Sequence, residues 1–316
     1  ADVDASIVGN ALQVESSETV QIQSVMVENG SELVKNSDGT YQLPEYSNSV
    51  INIIVSTKVW DGTYTVHNYD ELKAALADIE SRDTTEEVVI KVAGNIEVPE
   101  TVTINAGRNI KLVDDGTVRS ITRAAAFGTG NMFNMGSEAT LTFKSTGTKE
   151  EPKLIIDHNK SNITTAGAAS AIYAAANTNA TINVLDGVKF VNHKTTNRGP
   201  AIRMIEDAKV TLNVDGAVFE QNEGVNFGAV MIQANNTAII KNSTFAGNQT
   251  SNGGGSAIGL ESKAAKANGT SLTIEGCTFK QNQADQTVWW GGTIYAAQGS
   301  LTVSKSSFEN NTSTKT

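Results

Sequence analysis

Gly228-Ala229-Val230-Met231-Ile232, then Thr237-Ala238-Ile239-Ile240, then Phe245-Ala246-Gly247-Asn248 form one unit of a pattern that recurs from Ala171 to Asn311. Each unit opens with a small residue and an aliphatic: Ala171-Ile172, Ala201-Ile202, Ala229-Val230, Ala257-Ile258 and Thr293-Ile294. Four units close on Phe-x-x-Asn: Phe219 to Asn222, Phe245 to Asn248, Phe279 to Asn282 and Phe308 to Asn311. A fifth, degenerate close is Phe190 to His193. Between opening and close lies an alternating apolar segment ending in Val184, Val214, Ile240, Ile274 or Val303.

These apolar segments are too short for helices, and their alternation is that of strands. A single strand coil has no partner for its inner face and must stack on a similar neighbour, which makes a solenoid. Equivalent residues then lie about 4.8 Å apart along its axis. The expected fold is all-β: a right-handed parallel β-helix with three sheets. Ile172, Ile202, Val230, Ile258 and Ile294 are expected to form one interior aliphatic column. Phe190, Phe219, Phe245, Phe279 and Phe308 are expected to stack as an aromatic column. Asn222, Asn248, Asn282 and Asn311 fall where a strand ends, so their side-chain carbonyls are expected to cap turn amides and pass hydrogen bonds from coil to coil.

The openings Gly199-Pro200-Ala201-Ile202, Gly228-Ala229-Val230, Gly255-Ser256-Ala257-Ile258 and Gly292-Thr293-Ile294, paired with Phe-x-x-Asn, resemble the repeats of polymorphic outer-membrane proteins and related β-helix adhesins. The resemblance covers residues 164 to 311. It implies a bacterial cell-surface passenger engaged in adhesion to a host protein or glycan, and it carries over no catalytic residue. That family's membrane barrel has no counterpart in these residues, so its anchoring mode is not carried over.

Two further segments precede the repeats. Residues 1 to 62 read as a small β-sandwich-like module, with strands at Val20 to Val27 and Val50 to Val55 and a turn at Asn36 to Gly39. Ser37 to Lys58 resembles the stalk modules of Gram-positive surface proteins. The second domain, 63 to 316, is expected to open with a helix over 69 to 81. Asn68 is its N-cap, Glu71 makes a capping-box-like pair, and Leu72, Ala75, Leu76 and Ile79 form one apolar face. Such a helix covers the open end of a β-solenoid. The first coil is expected at Val88 to Val113. Beyond Asn311 no capping helix is expected, so a cap or more of the protein is expected to follow.

The net charge of −10 argues against a nucleic-acid partner. No apolar run reaches the length of a membrane span, so this piece is not expected to insert in a membrane. The one cysteine, Cys277, excludes an internal disulfide and suits a small buried position. Three histidines give no metal constellation, and no cofactor motif is present.

Two functions compete. A polysaccharide lyase or glycosidase requires carboxylates, or an Arg or Lys base, on one face. The candidates are Asp157-His158-Asn159, Arg203, Glu206-Asp207, Glu223 and Asp285. Asp186-Gly187, Asp215-Gly216 and Glu275-Gly276 recur four residues before Phe190, Phe219 and Phe279 and read as turn formers. The other function is non-enzymatic recognition. The residue after each interior aliphatic points outward, giving a column of Tyr173, Arg203, Met231, Gly259 and Tyr295. Loops carrying Phe227 and Trp289-Trp290 border it, and aromatics beside Arg suit carbohydrate or protein binding. The alternative for Phe227 or Trp290 is that the ring folds back to cover a core edge.

Overall fold

The structure is a computed structural model that describes residues 3–8, 11–16, 20–27, 32–43, 53–162, 169–262, 264–286 and 291–315. The chain divides into two compact units, Ala1–Thr63 and Tyr64–Thr316. In the first, Val3–Val8, Ala11–Ser16 and Tyr41–Gln42 form an antiparallel sheet, and Val20–Val27 pairs with Ile53–Val59. Positions 50–52 of the expected second strand lie outside the described residues. Leu12, Val25 and Tyr41 make the small core of this unit. Gly39 takes a φ of 87° at the turn before Tyr41, a conformation with little steric cost only for glycine.

The second unit is a right-handed parallel β-helix of eight coils. Its first sheet starts at the edge strand Thr63–Val66. It continues through Glu87–Val92, Asn109–Asp114, Thr140–Lys144, Thr181–Val184, Thr211–Asp215, Thr237–Lys241, Ser271–Glu275 and Ser300–Ser304. The second sheet stacks Ile96–Val98, Arg119–Arg123, Leu154–Asp157, Val188–Val191, Val218–Glu220, Thr244–Ala246, Thr278–Lys280 and Ser307–Glu309. The third runs from Val102–Ile104 through Phe133–Met135, Ile172–Ala174, Ile202–Met204, Val230–Gln233 and Gly254–Glu261 to Gly291–Ala297. At the usual strand spacing the coils span about 35 Å. The first coil closes at Ile104. Ile110 and Leu112, expected in it, belong to the second, because Asn109–Asp114 pairs in register onto Glu87–Val92.

The interior columns follow the repeat. Ile172, Ile202, Val230, Ile258 and Ile294 are register partners in turn. The rings of Phe190, Phe219, Phe245, Phe279 and Phe308 stack with centroids 5.4, 4.8, 5.1 and 4.8 Å apart. Phe190 through Phe279 are fully buried, whereas Phe308 on the eighth coil is 50% exposed. Within Phe-x-x-Asn the second x holds the left-handed conformation: φ is 54° at Gln221, 60° at Gly247, 54° at Gln281 and 53° at Asn310. That single residue turns the chain and aims the Asn side chain inward.

There it builds a ladder. The Nδ2 groups of Asn222, Asn248 and Asn282 donate to the Oδ1 of the next rung at 2.8, 2.9 and 2.8 Å. The backbone amides of the same residues donate to the same oxygens. Each Nδ2 also donates back to the carbonyl of the preceding coil's Phe, as Asn248 does to Phe219 at 2.9 Å. Immediately after the ladder the chain makes a fourth, narrow sheet that the three-sheet expectation does not contain. It stacks Glu223–Gly224, Gln249–Thr250, Gln283–Gln286 and Thr312–Lys315.

Helix α1 (Tyr69–Ser81) packs on the first coil through buried Leu72, Ala75 and Ile79. Leu76 stays partly exposed. The Asn68 side chain accepts from the Glu71 amide at 2.9 Å. The Glu71 carboxylate reaches back to the His67 amide at 2.8 Å, one residue before the position a capping box uses. Cys277 is buried, with Sγ 3.5 Å from the Ile240 carbonyl.

Candidate ligand-binding face

The outward column of the third sheet has the expected register: Tyr173 beside Arg203, Arg203 beside Met231, Met231 beside Gly259 and Gly259 beside Tyr295. Its chemistry is not continuous. Tyr173 and Arg203 are half-buried, and the Arg203 guanidinium carbon lies 5.8 Å from the Tyr173 ring centroid. Arg203 Nε is sealed from solvent and has no hydrogen-bond partner among the described residues. Burial lowers the pKa of this guanidinium below the usual arginine value.

Phe227 is a correction. It was expected beside the column as a ligand contact, yet it is only 2% exposed. The cause is Gly259. A Cβ there would lie 2.2 Å from Phe227 Cδ1, so the ring fills the place of the missing side chain. Met231 is buried as well. Tyr295 lies 5.6 Å from Phe227 centroid to centroid, and the Arg198 guanidinium sits 5.3 Å over the same ring. Arg198 is itself ion-paired with Glu261. Burial raises the Tyr295 hydroxyl pKa. The plugged centre thus divides the face into a Tyr173–Arg203 patch and a Tyr295 patch. Trp289 and Trp290 lie outside the described residues.

The carboxylate candidates do not converge. Glu206 and Asp207 both hold Lys266, from the 3-10 turn Ala264–Gly269 that occupies the long insertion. The Lys266 hydrogen bond holds the Asp207 pKa below the ordinary value. Glu223 is paired with Lys160 at 2.7 Å and Lys194 at 3.2 Å. Burial pushes the Glu223 pKa up, but the two lysines more than offset it, so its carboxyl titrates below the ordinary value. Asp157 accepts the Asn159 amide at 2.8 Å within a turn. Gly187, Gly216 and Gly276, each after an acid, have φ values of 74°, 70° and 65°, as turn formers do.

His158 is not beside Asp157 on an outer face. It is buried in the interior row that continues the asparagine ladder toward the N-terminus. His193 occupies the ladder position of the fourth coil, and its Nε2 donates to the Ile156 carbonyl at 3.0 Å. The His158 ring lies 5.1 Å from His193, and its Nε2 stands 2.9 Å from Arg123 Nη1. Arg123 is fully buried; it donates to the Gly128 and Gly130 carbonyls at 2.7 Å each and lies 4.0 Å from the Phe127 ring centroid. Burial pushes the Arg123 pKa down to about 10. The degenerate Phe190 to His193 close was the signal for His193; His158 and Arg123 fall outside the repeat and left none.

No curated protein and no solved structure matches the chain. One family model does match, over residues 150–314, and it covers coils with the same columns and corner described above. The chain belongs to the right handed beta helix region family.

Proposed function

We propose that the protein is a non-enzymatic, bacterial cell-surface adhesin or ligand-binding fragment that holds a host glycan or host protein on the outer face of its third sheet. The Tyr173–Arg203 patch is the observation that carries this reading. It sets a cation, whose buried Nε has no partner among the described residues, against an aromatic ring on a rigid sheet. Such an arrangement suits a planar polar group or a sugar ring and requires no motion to form. Tyr295 extends the same face on the far side of the Phe227 plug.

The fold equally accommodates a polysaccharide lyase or glycosidase. What favours binding is the state of the acids. A glycosidase general acid has a pKa pushed up. Asp207, Glu223 and Asp285 are all held below the ordinary value, Asp285 by hydrogen bonds from Thr314 and Gln283.

The test is a glycan and host-protein array run beside a polysaccharide degradation screen on the same protein. Saturable binding without product, weakened about thirtyfold by Arg203→Ala, is the expected result. Release of reducing ends or unsaturated products would establish the enzyme instead.

A further inference from the structure

The arginines of the chain keep different company, and one stands apart. Arg82 is paired with Asp78, Arg108 with Glu80 and Asp83, Arg119 with Asp115, and Arg198 with Glu261. Arg123 has no carboxylate, but in the interior it donates to two backbone carbonyls. Arg203 has neither. Among the described residues it makes no ion pair and no hydrogen bond, and what holds it is the Tyr173 ring, 5.8 Å from its guanidinium carbon.

A half-buried guanidinium without a counter-charge carries a desolvation cost that an anion offsets. Burial first, and then the charge of Arg198, holds its pKa below the ordinary value. Arg203 stands on the outward column, beside Tyr173 and Met231. Its Nε is sealed, whereas the two Nη nitrogens are not, so the edge open to a ligand is the Nη pair. Two N–H groups side by side on that edge match the two oxygens of a carboxylate.

We propose that the group bound at this patch is a single carboxylate on a polypeptide partner, an aspartate or glutamate side chain taken by both Nη groups of Arg203. The inference rests on the reading of this face as a binding face and narrows its ligand. A sugar ring needs an open aromatic face, and Arg203 already lies over one face of Tyr173. Farther along the column Met231 is buried and Phe227 fills the space at Gly259, so no polar group follows. In the other direction stands Asn134, whose Oδ1 already accepts from Asn131. The site is therefore one charged group wide. The net charge of −10 repels a polyanion, and a lone carboxylate meets far less of that repulsion.

The sealed Nε–H of Arg203 is shielded from exchange with water, so nuclear magnetic resonance can follow its signal. The probes are end-capped Gly-Glu-Gly and Gly-Gln-Gly peptides, polygalacturonate and inorganic phosphate. Gly-Glu-Gly should shift the Arg203 Nε–H and Tyr173 ring signals saturably, and Gly-Gln-Gly should not. Arg203→Lys, read from the Tyr173 ring, should weaken binding about tenfold, because lysine keeps the charge and loses the fork. Tyr173→Leu, read from the Nε–H, should weaken it about threefold, through loss of the ring that holds the fork. An equal response to Gly-Gln-Gly, no response to Gly-Glu-Gly, or tighter binding of polygalacturonate or phosphate would overturn the proposal. A glycan or host protein from the array that binds Arg203→Ala as well as the unaltered protein would overturn both this proposal and the wider reading of the face. A partner lost with Arg203→Ala while Gly-Glu-Gly stays silent would keep the face and overturn the carboxylate alone.

Discussion

Coils five to eight and coils two to four fill the same interior row with different chemistry. In the later coils four asparagines make a neutral ladder in which one side-chain amide serves two neighbours. Asn248 donates to Phe219 and to Asn282, and its Oδ1 accepts both the amide and the side chain of Asn222. In the earlier coils the row holds Arg123, His158 and His193, and two of its nitrogens, Arg123 Nε and His193 Nδ1, are buried without a hydrogen-bond partner among the described residues. A short amide repeated at one-coil spacing satisfies itself. An imidazole cannot, because the neutral ring has one donor, and a guanidinium must find carbonyls in a loop, as Arg123 does at Gly128 and Gly130. The difference makes the later coils a regular stack and the earlier coils a set of individual solutions.

The comparison breaks most severely at the aromatic column beside the ladder. Phe245→Ala removes a fully buried ring stacked between Phe219 and Phe279. The expected loss is about 3–5 kcal/mol of unfolding free energy, read by denaturant titration. A loss under about 1 kcal/mol would mean that the stack collapses around the cavity and is not the rigid column described. Asn248→Leu comes next, at about 1–3 kcal/mol, because the Phe219 carbonyl and the Asn222 donors lose their partner in a buried place. An unchanged melting temperature would show that the ladder is replaceable by hydrocarbon.

The regular half was legible because its determinants are local and periodic. Phe219, Phe245, Phe279 and Phe308 fix the register, and the Asn three residues later must fall at the corner. The earlier row was not, because Ile156 stands where later coils have Phe and the inward residue after it is His158, two positions on. No spacing rule links Arg123 to either histidine. The binding face was half legible. Alternation placed Tyr173, Arg203 and Tyr295 outward, but the absent side chain of Gly259 is what draws Phe227 in, and a column read one residue at a time does not show a gap being filled from a loop. The fourth sheet escaped notice because two-residue strands such as Glu223–Gly224 have no periodicity to read.

The next difference is pH. Burial first, then the neighbouring charges, lowers the pKa of both interior histidines, with His193 pushed down to about 3 from 6.5. Neutral His158 accepts the Lys194 amide at Nδ1 and so carries its hydrogen on Nε2; protonation would put a second hydrogen at Nδ1, opposing that amide, and a positive charge beside Arg123. Between pH 6.5 and about 3 the unfolded chain therefore holds more protons than the folded one. Stability is full above pH 6.5 and falls as the pH drops through that window, by about 1.4 kcal/mol per unit for each histidine. Hydrogen exchange followed across this range should show coils three and four opening first, with the asparagine coils following. Uniform loss of protection along the solenoid would mean that the histidine row is not the weak point.

His193→Asn tests whether the early row can be converted into the late one, and its effect at neutral pH is the smallest. The introduced asparagine would keep the bond to the Ile156 carbonyl that His193 Nε2 now makes. Its second Nδ2 hydrogen would meet Asn222 Oδ1, which accepts the His193 backbone amide at 3.1 Å and no side chain from this rung. Asn222, Asn248 and Asn282 each make that second bond, so one hydrogen bond is gained. Against it stands the lost contact of the imidazole with the Phe190 ring at 5.7 Å and the His158 ring at 5.1 Å. The two terms are similar in size, so the stability change at pH 7 should stay within about 1 kcal/mol. The acid limb is where the variant differs. One of the two depressed histidines is gone, so the slope of stability against pH below 6.5 should fall by about 1.4 kcal/mol per unit. An unchanged slope would mean that His193 does not contribute to the acid limb and that another group carries it.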